Sequence, residues 1–255
     1  MAFQVENLTF KYPGAKAPCL KDLTCCIESG KFTAILGPNG SGKTSLLKLL
    51  LGINKPTTGS ISFNDRPIGD YRDRERARLI AYLPQNSLAR HQITVREFIL
   101  MGRYPWSQRF GGADKTDLAA LDRAIELTRL GPLVNRIYAS LSGGERQRCL
   151  LARALCQDTS WLLLDEASAN LDLAYQVEIF ELLKKLQKTE GVSVLAILHD
   201  INLAMHHADD ALLLKEGKLF ASMEAANFNP DLLGQLYGLK LECLKSREGR
   251  RHLVW

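Results

Sequence analysis

The chain has 255 residues, 46% apolar and 24% charged, with a formal net charge of +5. That length and balance suit one large soluble domain or two closely joined lobes around a real buried core, and they argue against a low-complexity or disordered chain. The positive charge is too diffuse to specify nucleic acid, because its densest clusters, Arg72–Arg78 and Lys245–Arg251, are both interrupted by acids and read as solvated faces.

Six cysteines stand at Cys19, Cys25, Cys26, Cys149, Cys156 and Cys243. None forms a C-x-x-C pair or lies near a histidine at metal-ligand spacing, so they read as free thiols of a reducing cytoplasm. The adjacent Cys25 and Cys26 are expected on opposite faces of a strand. Residues Met1–Asn7 lack the basic and apolar regions of a signal peptide. No apolar run approaches the ~20 residues of a spanning helix, so the chain is not expected to cross a membrane by itself.

In chain order, residues 2–28 alternate as strands do, interrupted by the turn Tyr12-Pro13-Gly14. A second turn, Glu28–Lys31, leads to a short buried strand at Phe32–Leu36. A helix follows from Ser45 to Leu51, closed by Gly52. Lys55–Gly59 reads as a connector, with strands at Ser60–Phe63 and Leu79–Leu83. Between Gln85 and Ser140 strand signals give way to helical ones. Thr94-Val95-Arg96-Glu97 is a capping box, and Leu118, Leu121, Ile125 and Leu130 recur at helical spacing from Asp114 to Gly131-Pro132. From Trp161 strand and helix alternate again: Trp161–Leu164, a helix over Asp172–Thr189, Val192–Leu198, a helix from Ile201, and Ala211–Leu214. That rhythm predicts an α/β fold with a largely parallel sheet and a helical lobe inserted into it.

Three segments carry chemistry. Gly37-Pro38-Asn39-Gly40-Ser41-Gly42-Lys43-Thr44 fits G-x-x-x-x-G-K-[ST] in full. Glycines let successive N–H groups converge on anionic oxygens, Lys43 adds a mobile positive charge for the β- and γ-phosphates, and the Thr44 hydroxyl is suited to Mg²⁺. The loop stands between a strand and a helix, as phosphate binding at a helix N-terminus requires. Trp161–Leu164 is an apolar run followed by Asp165-Glu166, which would deliver two carboxylates to a sheet edge. Asp165 could hold Mg²⁺, and Glu166 could orient and deprotonate a water. Such a run is common alone; the upstream loop makes it informative. Leu141–Arg148, with Ser142-Gly143-Gly144-Glu145 opening a helix, reads either as a second anion site or as an N-cap followed by two glycines.

Leu141–Arg148 resembles the signature motif of ATP-binding cassette (ABC) proteins, and with Gly37–Thr44 and Leu162–Glu166 the resemblance covers nearly the whole chain. It implies a P-loop NTPase core with a mainly parallel sheet, an N-terminal antiparallel β subdomain and an inserted helical subdomain at about 86–158, all within one nucleotide-binding domain over 1–255. It implies that Tyr12 stacks on adenine and that Gly37, Pro38, Asn39, Gly40, Ser41, Gly42, Lys43, Thr44 and Ser45 hold ATP. Thr44, Gln85 and Asp165 would hold Mg²⁺, with Glu166, His199, Gln85 and Lys43 catalytic. Two copies would face head to tail, Ser142, Gly143, Gly144 and Glu145 of one covering the ATP of the other. Ala169–Asp172 is similar to the family's D-loop. Ala167 stands where proline usually follows the catalytic glutamate, and Asn170 precedes Leu171; neither departure removes a reactive group.

A finer resemblance lies in Met101–Trp106, Arg109-Phe110-Gly111 and Leu195–Ala204, which look like the ATPase subunits of ferric-siderophore, haem and cobalamin importers, most of all the ferric-hydroxamate group. It implies a peripheral ATPase on the cytoplasmic face of the inner membrane, bound near Gln85 and the helical lobe to polytopic permease subunits. A periplasmic or surface substrate-binding protein would be an indirect partner, and no nucleic acid is expected. The chain ends at Trp255, so no large C-terminal regulatory domain is expected. A soluble ATPase of iron–sulfur cluster assembly and an exporter ATPase remain open.

Overall fold

The computed structural model describes residues 2–85, 92–107, 112–166, 173–246 and 249–254. Its first elements are β1 (Ala2–Phe10), β2 (Leu20–Glu28), β3 (Phe32–Leu36), α1 (Lys43–Leu50), β4 (Thr58–Phe63) and β5 (Arg66–Pro67). Then come α2 (Asp73–Ala77), β6 (Ile80–Leu83), α3 (Val95–Leu100), α4 (Lys115–Leu127), α5 (Gly143–Cys156) and β7 (Trp161–Asp165). The last are α6 (Leu173–Glu190), β8 (Ser193–Ile197), α7 (Ile201–His207), β9 (Asp210–Lys215), β10 (Lys218–Glu224), α8 (Pro230–Tyr237), β11 (Glu242–Lys245) and β12 (Arg251–Val254). The chain divides into two compact units, Met1–Tyr71 with Leu183–Trp255, and Arg72–Leu182.

In the first unit β1 pairs antiparallel with both β2 and β4, and β4 with β5. Alternation sets this sheet: Phe3, Val5, Leu8, Leu20, Leu23, Ile27, Ile61 and Phe63 are all buried, and the rings of Phe3 and Phe63 lie 4.7 Å apart. Cys25 is largely buried, which pushes its thiol up to about 12, while its neighbour Cys26 is exposed, as the alternation predicts. The expected connector at Lys55–Gly59 is shorter than read, because β4 already begins at Thr58, paired with Thr9 across a register shift in β1. Gly59 makes this possible: its φ is +81° and a Cβ there would lie 2.4 Å from the Asn7 carbonyl oxygen.

The same unit holds a second sheet in which β3 runs parallel to β8 and to β9, while β10 returns antiparallel to β9. Every residue of β3 and β8 is buried, the pattern of parallel strands covered on both faces. β10, α8 and the β11–β12 hairpin lie beyond the last strand that periodicity identifies. There Arg251 is not simply solvated: its guanidinium donates to the carbonyls of Phe228 (2.5 Å) and Ala226 (3.1 Å).

In the second unit β6 and β7 pair in parallel, Leu83 opposite Leu164. The helices begin where their capping residues stand. Thr94 and Asp114 accept the N3 amides of Glu97 and Asp117, and Glu97 and Asp117 return the bond. Phe98 and Tyr138 stack with ring centroids 3.9 Å apart. Two arginines of the basic Arg72–Arg78 segment are likewise not merely solvated. Arg74 and Arg78 both donate through Nε to the Pro105 carbonyl, at 2.8 and 2.9 Å, and the Arg78 guanidinium lies 5.0 Å from the Trp106 ring. A carbonyl with two cationic donors requires that pairing, which acid interruption in the sequence does not reveal.

Candidate nucleotide site

β3 ends at Leu36, and the chain turns through Gly37–Gly42 into α1. Gly37, Gly40 and Gly42 have φ of +150°, +76° and +101°. At Gly37 a Cβ would sit 2.1 Å from the Leu214 carbonyl oxygen, which leaves no room for a side chain; at Gly42 the positive φ strains any side chain, and Leu20 Cδ2, 2.5 Å away, would have to shift. No side chain caps α1 and no acid sits in its first turn, so its positive end carries no built-in counter-charge. The Ser41 hydroxyl is buried without a hydrogen-bond partner. Lys43 folds over the loop, donating to the carbonyls of Gly37 (2.8 Å) and Pro38 (3.0 Å). An orphaned hydroxyl, an uncapped helix start and a buried ammonium fit a polyanionic phosphate chain.

Around the loop, Tyr12 lies beside α1, exposed, its hydroxyl 3.2 Å from Ser45 Oγ and its ring edge-on to Phe10 at 4.8 Å. The Gly37 N–H donates to the Tyr237 hydroxyl at 3.1 Å. His199 is exposed just past β8, which neighbours β3 in parallel, so His199 and the loop leave the same edge of the sheet. Asp200 then caps α7 by accepting from the amides of Asn202 (2.7 Å) and Leu203 (3.1 Å).

In the second unit the parallel pairing of β6 and β7 brings Gln85 to the same strand ends as Asp165 and Glu166. Gln85 donates its side-chain amide to Glu166 Oε2. Asp165 is buried, and the Tyr82 hydroxyl donates to its Oδ2 at 3.3 Å. Burial, with the Asp165 charge second, pushes the Tyr82 phenol up, so it remains a neutral donor. A buried carboxylate of this kind is a suitable hard ligand for Mg²⁺. Glu166 takes a φ of +50°, a conformation that costs a non-glycine residue about 1–2 kcal/mol and turns the chain immediately after the strand.

Ser142 is the N-cap of α5. Its hydroxyl accepts from the Glu145 amide at 3.3 Å, and Glu145 Oε2 accepts from the Ser142 amide at 2.7 Å. That backbone bond, with the Arg136 charge a lesser influence, holds the Glu145 carboxyl below its usual range. A side chain at Gly143 would meet no atom within 4 Å, so the surface over the first turn is open. The segment is a capping box, and its glycine-lined end is accessible.

The structure thus groups Tyr12, Gly37–Ser45 and His199 in one unit, and Gln85, Asp165 and Glu166 at one strand edge of the other, which also carries Ser142–Glu145. Arg109, Phe110, Gly111, Ala167 and Ala169–Asp172 lie outside the described residues. Sequence reasoning missed Tyr82 and Tyr237. Tyr82 could have been found from the β6–β7 register, since Asp165 lies two residues past its partner Leu163 on the same face. No local pattern marks Tyr237, 200 residues from its partner.

A glycine-rich loop joining a buried strand to an uncapped helix, in a chain that also carries an acid-tipped strand, defines a phosphate-loop nucleotide-binding protein. The chain belongs to the ABC transporter family, which matches residues 20–169, and it is an ATP-binding ATPase of that family. It is 42% identical over 248 residues to the hemin import ATP-binding protein of Shewanella denitrificans, covering 94% of this chain and 95% of that protein. It is 37% identical over 236 residues to the ferric enterobactin transport ATP-binding protein of Escherichia coli, covering 92% and 86%. An ABC transporter of metal-chelate type, solved in an inward-facing conformation, superposes with a TM-score of 0.84 at 31% identity, covering 99% of this chain and 96% of that one. No helix among the described residues is long and apolar enough to cross a membrane.

Proposed function

We propose that this chain is the peripheral ATPase of an importer that takes up an iron chelate, a ferric siderophore first and haem or cobalamin as rival cargoes. Its whole length would act as one nucleotide-binding domain with a helical subdomain at about 86–158. The observation that carries the reading is the Gly37–Ser45 loop, with its orphaned Ser41 hydroxyl and carbonyl-bound Lys43, in a chain similar along nearly its full length to a hemin and a ferric enterobactin ATP-binding protein.

ATP binds with adenine against Tyr12 and its phosphates in the loop. Lys43 moves its ammonium from the two loop carbonyls to the phosphate oxygens. Thr44, Gln85 and Asp165 would hold Mg²⁺, which would supply neutralisation of phosphate charge. Glu166, oriented by the Gln85 amide, accepts the proton of the attacking water, and His199 stabilises the terminal phosphate. A second copy contributes Ser142, Gly143, Gly144 and Glu145, so that ATP closes a head-to-tail homodimer and hydrolysis opens it. The movement passes to polytopic permease subunits at the cytoplasmic face of the inner membrane, fed by a substrate-binding protein outside.

The test reconstitutes the chain with its permease in liposomes and compares ATP-driven uptake of a ferric hydroxamate, ferric enterobactin, haem and cobalamin. Uptake of a ferric siderophore in preference to the others supports the reading. Full ATPase activity with no association to any polytopic partner would favour a soluble assembly ATPase instead.

A further inference from the structure

The family match ends at residue 169, yet the C-terminal part of the chain reaches back to the phosphate loop. α8 is capped at both ends. Asn229 caps it by accepting from the amides of Asp231 (2.8 Å) and Leu232 (3.1 Å), Leu233 and Leu236 are fully buried, and Gly238 ends it at φ +71°. Lys215, the last residue of β9, donates to the Gln235 carbonyl at 2.5 Å. Farther on, Leu253 of β12 exchanges two hydrogen bonds with the Asn202 side chain of α7, at 2.8 and 3.0 Å, so the segment is pinned beyond α8 as well.

The last residue of α8 is Tyr237, and its hydroxyl accepts the Gly37 N–H at 3.1 Å. Gly37 is therefore wedged between two groups. Its Cα faces the Leu214 carbonyl, close enough that a Cβ would be 2.1 Å away, and its N–H meets the phenol. The bond holds the peptide that enters Gly37, and the same residue supplies one of the two carbonyls that hold Lys43. A chain of contacts thus runs from Tyr237 through Gly37 to the ammonium meant for the phosphates. Burial pushes the Tyr237 phenol up to about 12, so the hydroxyl stays neutral at physiological pH.

We propose that Tyr237 is a positioning residue for nucleotide binding, holding the first peptide of the phosphate loop in its binding shape from a C-terminal helix. This rests on the reading of Gly37–Ser45 as the ATP seat. Preorganisation of this kind strengthens binding of any nucleotide that fills the loop, and leaves the chemical step alone, because Tyr237 touches no reacting atom.

The test compares Tyr237→Phe with the unchanged full chain in equilibrium binding of ATP and of ADP, in kcat, and in nucleotide-free Tm. Leu236→Ala, which removes a buried side chain from the same helix and keeps the phenol, is the control. Loss of one hydrogen bond predicts about three- to tenfold weaker binding of both nucleotides by Tyr237→Phe, with kcat at saturating ATP within about twofold. Leu236→Ala should lower Tm and leave both Kd values within about twofold. Unchanged nucleotide affinity in Tyr237→Phe overturns the proposal. So does loss of affinity in both variants in step with their loss of Tm. If the unchanged chain binds neither nucleotide, the ATP seat itself is misassigned and this inference falls with it.

Discussion

Arg103 and Asp117 meet through an Nε–Oδ1 contact of 2.7 Å with less than a tenth of either side chain exposed. The same guanidinium donates to the carbonyl of Cys156 at 3.2 Å, and the Trp106 indole N–H donates to the Gln157 carbonyl at 2.8 Å. The aromatic turn is thereby fastened to the end of α5 by a buried charge. Removing one partner leaves the other buried without its counter-charge, so Asp117→Ala should destabilise the protein by about 3–5 kcal/mol. Urea unfolding checks it; a loss below about 1 kcal/mol would mean the pair is screened or replaced.

Three helices begin on carboxylates that accept backbone amides, which sets an acid limit to stability. Glu97 and Glu145 are held below their ordinary 4.5, and Asp114 below its ordinary 3.8. In each the cause is hydrogen bonding: from the Thr94 amide to Glu97, from the Ser142 amide to Glu145, and from the Thr116 hydroxyl to Asp114. A depressed carboxyl contributes stability that is fully present above its unfolded value and disappears as pH falls through its folded one. Unfolding free energy should therefore be insensitive to these groups above about pH 5 and decline below it. Glu145→Gln should flatten part of that decline; an identical acid limb would remove Glu145 from the account.

Glu166→Gln separates binding from chemistry. The amide keeps the shape of the side chain and its place beside Gln85 but cannot take a proton. ATP affinity should be retained, the ATP-bound dimer should accumulate, and hydrolysis should fall by at least 10²-fold. Sedimentation with ATP and a phosphate-release assay measure both, and turnover near that of the unchanged chain would place the general base elsewhere.

How far the sequence reveals these features depends on how local their causes are. The capping boxes at Thr94 and Ser142 and the φ demands of Gly37 and Gly42 are properties of a few consecutive residues, and all are legible in the order of the residues alone. Glu166 carries its acid legibly, but its left-handed backbone is not legible, because nothing about glutamate announces it. Strand existence is easier to read than strand ends: Thr58 joins β4 because Thr9 pairs with it across the sheet. Arg74, Arg78 and Tyr237 find partners 27 to 200 residues away, and composition records only that they are charged or aromatic.

Ser142→Ala bears on the dimer directly. The hydroxyl accepts the Glu145 amide, so its removal should cost about 1 kcal/mol of stability as a lost N-cap. If Ser142 of one copy also meets ATP held by the other, turnover should fall far more than that small loss of stability explains, by about 10–10²-fold. ATP binding to a single copy, which under the proposed function rests on Gly37–Ser45, should be unaffected. Ser142→Thr keeps both the cap and a hydroxyl and should restore most of the activity. Dilution provides an independent arm, since specific activity should drop as the protein concentration falls below that needed for pairing. Constant specific activity on dilution, together with full turnover in Ser142→Ala, would show that each copy hydrolyses alone and that Ser142 serves only to start its helix.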